Sequence, residues 1–149
     1  MVEKRTLVIG GIAIVLIISV AVVGIALAIV FVFRDFAKKS EVAKSAGREF
    51  GKTTDQKGCM TEGLTRSRTM TKHDISRLVK NGDFVEGCLE GSQATEGFCE
   101  NVPLFGDSSE GQWEYKQCRD SGMDSQTTGC KSIYEEHLMF CQRRTRSRP

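Results

Sequence analysis

His137 and Cys141 stand four residues apart near the C-terminal end of the chain. On a helix that spacing puts both on one face, where imidazole and thiolate can act as base and nucleophile or ligate one metal ion. Both chemistries require a free thiol. Cys141 is one of six cysteines, with Cys59, Cys88, Cys99, Cys118 and Cys130. An even set points to disulfides and an oxidising compartment. At least ten residues separate any two cysteines, whereas zinc sites use close pairs of the C-x2-C kind. There is no C-x-x-C redox motif and no C-x-x-C-H haem motif. A bridged sulfur neither attacks nor ligates, so His137 reads as structural, and no metal or cofactor is expected. The rival reading is a membrane-anchored thiol-redox or metal-binding protein using His137 and Cys141. The other histidine, His73, sits beside Asp74 near a presumed helix start and reads as exposed.

Other catalytic signatures are absent. The chain has no G-x-S-x-G, H-E-x-x-H, P-loop, dinucleotide glycine pattern or EF-hand order. No catalytic residue is assigned, and nothing points to an enzyme.

The elements that carry these residues read as helices. Cys130, Ile133, Tyr134, His137, Leu138 and Cys141 follow the i, i+3, i+4, i+7, i+8, i+11 spacing of one helical face. That face is the one a small domain buries, so the segment reads as a helix fastened at both ends. A second helix is predicted around Trp113 and Gln117, capped by Ser108 or Ser109 and closed by Gly122. A third runs from about Thr71, a weak capping residue, through Ile75, Leu78 and Val79 to Asn81-Gly82. Asp83 then caps a short helix through Cys88 that ends at Gly91. Residues 91–109 read as loop. Phe98, Leu104, Phe105, Trp113 and Tyr115 are candidate core or contact positions. Six cysteines allow 15 pairings, and spacing does not choose among them.

The N-terminal part differs in kind. Residues 6–33 contain no charge and are rich in Ile, Val, Leu and Ala, long enough to cross a bilayer as a helix. A cleaved signal peptide is the rival, with Ala26 and Ala28 as a small-x-small site. The apolar run is too long for an ordinary signal, so an uncleaved anchor is favoured. Gly24 and Ala28 form a small-xxx-small pair suited to helix packing and self-association.

Charge follows blocks. Residues 34–80 hold twelve Lys/Arg against six Asp/Glu, residues 83–142 three against twelve, and the end carries Arg143, Arg144, Arg146 and Arg148. Those arginines are candidates for contact with an acidic partner, or form a solvated tail after a helix C-terminus. Nucleic acid is disfavoured, because the folded part is acidic and no recognition motif occurs. Lys and Arg flanking the span are more numerous on its C-terminal side, which by the positive-inside rule directs the domain to the cytoplasm. The cysteines direct it outward, and they weigh more.

The expectation is therefore a mainly α chain: a single N-terminal transmembrane helix plus a small disulfide-stabilised helical domain. Its sections are a tail (1–5), the span (6–33), a stalk and linker interrupted at Gly47 (34–58), a six-cysteine helical domain (59–142) and a basic tail (143–149). Its expected role is a non-catalytic accessory, scaffold or binding subunit of an envelope or membrane complex. The domain is expected to be periplasmic or extracellular, with lipid and a membrane or envelope protein as partners.

Overall fold

The run of helix formers that begins in the apolar segment does not stop at its end. In the computed structural model a single helix, α1, extends over Val2–Gly51. The structure describes residues 2–71, 73–104, 106–123 and 128–146, with side chains from residue 22 onward except that of Thr128. Four further helices follow: α2 (Gln56–Ser67), α3 (Ile75–Gly91), α4 (Glu110–Asp120) and α5 (Thr128–Arg146). The chain divides into two units, Met1–Lys38 and Lys39–Pro149.

In the first unit, the side chains of Val22, Val23, Ile25, Leu27, Ile29, Val30, Val32 and Phe33 are exposed, and Phe31 is 75 % exposed. Among the described residues no helix is long and apolar enough to cross a membrane. Much of the apolar stretch, the side chains of residues 6–21, lies outside the described residues.

The second unit is mainly helical and begins inside α1. The expected break at Gly47 does not occur, because the helix needs a residue without a Cβ there. A Cβ on Gly47 would overlap the carbonyl oxygen of Phe84, and one on Gly51 would lie 2.5 Å from that of Cys88. Opposite them on α3, a Cβ on Gly87 would overlap the carbonyl of Lys44, and one on Gly91 would sit 2.8 Å from that of Arg48. Two glycine pairs, each spanning i to i+4, thus bring two backbones into contact. The helices run in the same direction there, since Lys44 meets Gly87 and Arg48 meets Gly91.

α2 was not legible as a helix in a segment expected to be linker and then undefined chain. Its start is fixed by Asp55, whose carboxylate accepts from the Gly58 amide at 2.8 Å. Its buried face is Gln56, Cys59, Met60, Gly63 and Ser67, mostly small or polar. α3 passes straight through Asn81-Gly82, where two helices were expected. Asn81 is buried and its Nδ2 donates to the Gly63 carbonyl and to Ser67 Oγ, each at 2.8 Å. These bonds hold the side chain in a helix–helix interface rather than at a turn. They also turn the buried face to Leu78, Phe84, Val85 and Leu89, leaving Ile75 exposed.

α4 starts one residue after Ser109, whose side chain makes no capping bond to the helix. Gly122 ends it in the left-handed region (φ 69°), with the Met123 amide bonded to the Cys118 carbonyl at 3.0 Å. The core gathers Cys59, Phe84, Val85, Cys88, Leu89, Cys118, Cys130, Ile133, Tyr134, Phe140 and Cys141. Leu138 is fully buried as well.

Candidate functional site

The six cysteines form three bridges: Cys59–Cys88 joins α2 to α3, Cys118–Cys130 joins α4 to the start of α5, and Cys99–Cys141 ties the 92–109 loop to its end. No cysteine is free. α5 is therefore fastened at both ends. The bridges close separations of 29, 12 and 42 residues. In the chain-entropy account each contributes about 3–4 kcal/mol, a large share for a small domain. Three disulfides suit an oxidising environment, extracytoplasmic or secreted.

His137 and Cys141 do share a helical face, but the pair is occupied. His137 Nε2 lies 2.8 Å from the Phe98 carbonyl. A carbonyl only accepts, so Nε2 carries the proton. Nδ1 is buried without a partner. A proton there would have no acceptor, and burial lowers the imidazole's pKa despite the bond to Phe98. The ring also stacks on Phe98 with centroids 4.1 Å apart and lies 5.6 Å from Trp113. Trp113 meets Tyr134 edge-on at 5.7 Å, and Tyr134 OH shares a 2.8 Å hydrogen bond with Ser121 Oγ. The neutral histidine is one member of an aromatic cluster that joins the loop, α4 and α5. Among the described residues no group of three His, Cys, Asp or Glu side chains could hold a metal ion.

The other candidates are scattered. Phe98 and Trp113 are partly buried against the core, whereas Tyr115 and Leu104 are exposed and Phe105 lies outside the described residues. Gly24 is on α1, with nothing within 4 Å of where a Cβ would be. Ala28 lies one turn on and is exposed. Arg143 donates to Glu86 at 3.0 Å, and the Arg144 guanidinium sits 5.4 Å over the Phe140 ring. Arg146 is exposed, and Arg148 lies outside the described residues. Part of the basic tail is thus engaged by the chain's own acidic core.

Glu86 is the centre of a three-helix charge cluster. Besides Arg143 of α5 it binds Lys44 Nζ of α1 at 2.5 Å, a bond that raises the pKa of Lys44. Glu136 of α5 lies close to this cluster. Burial first, then the charge of Glu86, push its carboxyl up to about 7. Its Oε2, like Oδ2 of Asp83, is buried without a hydrogen-bond partner.

A groove of about 480 Å³ opens between α1, α2 and α3, lined by Ala43, Ala46, Thr65, Arg66, Thr69, Met70, Arg77, Lys80, Asn81 and Phe84. Its charged residues are all cations. The Arg66 guanidinium lies 3.6 Å above the Phe84 ring, and its Nε donates to Glu62 at 2.8 Å. Asn81 Oδ1 is buried and receives no hydrogen bond. An acceptor in that state costs roughly 1–3 kcal/mol unless something donates to it. In the sequence Arg66 falls in chain with no predicted element, and Arg77 and Lys80 on the helix predicted from about Thr71; only the fold brings them to one edge. A second depression, of about 490 Å³, is bordered by Lys57, Gln117, Asp120, Ser121, Tyr134 and His137, among others.

Compared with protein-family models, with curated proteins and with solved structures, the chain matches none of them.

Proposed function

We propose that the chain is a single-pass, membrane-anchored, non-catalytic subunit that binds or scaffolds a partner in an envelope or membrane complex. In this reading residues 6–33 form the transmembrane anchor and the six-cysteine domain lies on the extracytoplasmic side. The observation that carries it is the join of two incompatible surfaces in one chain. Val22 to Phe33 of α1 is a nearly all-apolar, exposed helical surface, while the remainder ends as a charged domain closed by three disulfides. Large exposed apolar patches are sites for lipid or partner contact. A charge-free run of this length suits a bilayer. Gly24 and Ala28 give this helix a face on which a second copy can pack.

The non-catalytic part of the reading rests on the state of the candidate chemistry. Cys141 is bridged to Cys99, and His137 is committed to Phe98. The thiol-redox and metal alternative needs both groups free.

Two measurements on the full-length chain test this. After carbonate extraction of membranes it is expected in the pellet. Alkylation of the denatured, unreduced protein is expected to label no sulfur. Release into the carbonate supernatant contradicts the anchor, and labelled Cys141 contradicts the non-catalytic reading.

A further inference from the structure

We propose that the cationic groove between α1, α2 and α3 is the domain's docking surface for an acidic segment of a partner protein. The inference rests on the binding-subunit reading and names its partner. Two features converge. The floor beside Arg66 is apolar, formed by Ala43, Ala46 and Met70, and accepts an aliphatic side chain. The charged rim is cationic: Arg77 has only a loose 3.7 Å pairing with Asp74, and among the described residues no carboxylate lies within ion-pair distance of Lys80. A peptide carries both complements on one strand: carboxylates for Arg77 and Lys80, and an apolar side chain for the floor. An anionic headgroup supplies the charge, but its apolar chains stay in the bilayer and leave the floor uncovered. A nucleic acid lacks an exposed ring to stack on, since Phe84 is buried under Arg66.

The test uses the full-length chain in detergent micelles and a fluorescein-labelled peptide alternating glutamate with leucine. Its lysine–leucine counterpart and phosphatidylglycerol vesicles are the comparison probes. The Arg77→Glu/Lys80→Glu variant reverses two exposed rim charges, and Lys57→Glu/Arg68→Glu makes the same change outside the groove. The acidic peptide is expected to bind saturably, the rim variant to weaken it at least tenfold, and the outside variant to stay within twofold. Equal losses in the two variants, no saturable binding, or groove-dependent binding of the vesicles but not the peptide each overturn the proposal. A complex isolated from native membranes that survives the rim variant also overturns it, yet leaves the binding-subunit reading standing.

Discussion

Gly47 of α1 lies so close to α3 that a Cβ on it would stand 2.8 Å from the amide nitrogen of Cys88. The neighbours are main-chain atoms, which cannot move aside by changing rotamer. Gly47→Ala and Gly87→Ala are therefore expected to force the helices apart and to destabilise the domain by about 1–3 kcal/mol, the usual range for overpacking. Gly111, in α4, has nothing within 4 Å of a Cβ. Gly111→Ala is expected to stabilise by about 0.5–1 kcal/mol through helix propensity alone. Denaturant unfolding of the three variants checks the opposite signs.

The Glu136 carboxyl, held near 7 by burial and by Glu86, makes stability depend on pH in an unusual direction for an acid. The folded state holds a proton that the unfolded chain, with an ordinary value of 4.5, has lost. Glu136 therefore favours folding at low pH, and this contribution is lost as pH rises from about 4.5 to about 7. Glu136→Gln keeps the shape and removes the titration. It is expected to be more stable than the parent at pH 8 by about 2–3 kcal/mol, with the difference vanishing near pH 4. Urea midpoints across that range read the effect.

His137, one residue on, has the opposite slope. Its lowered pKa means the unfolded chain takes up a proton first as pH falls. Stability from the neutral imidazole is complete above 6.5 and declines below it. His137→Gln is expected to flatten the stability profile on the acid side of 6.5, where Glu136→Gln steepens the loss. NMR titration of the imidazole in the folded protein gives an independent check, with its midpoint expected below 6.5.

How much of this could be read in advance depends on what each element buries. α5 buries Ile133, Tyr134 and Leu138 at helical spacing, so its face and its fastening at both ends were legible. α2 buries Cys59, Gly63 and Ser67, whose small side chains give no apolar period. Asn81-Gly82 has the composition of a turn, and only the distant Gly63 and Ser67 make it helical. Gly47 looked like a break because its partner, Gly87, lies forty residues away; the i, i+4 glycine spacing in both segments was the available signal. The groove cations were visible as a charge block, but their convergence depends on α2 and on the glycine crossing. The disulfide pairing depends on the same packing.

Removing one bridge should reveal how unevenly the domain is held. Cys118→Ser/Cys130→Ser opens the shortest loop, with a separation of 12, and is expected to cost about 3 kcal/mol. Cys99→Ser/Cys141→Ser opens a separation of 42, with an expected cost of about 4 kcal/mol. The second variant also releases the loop that positions the Phe98 carbonyl against His137. Thermal unfolding with and without each bridge orders them.

Protease treatment of intact cells or sealed right-side-out vesicles containing the full-length chain tests the central claim most directly. The anchored, outward-facing arrangement predicts that protease added outside digests the domain, with its many Lys and Arg between residues 39 and 80, and leaves a membrane-held N-terminal fragment. A domain that stays intact until detergent opens the vesicles contradicts it.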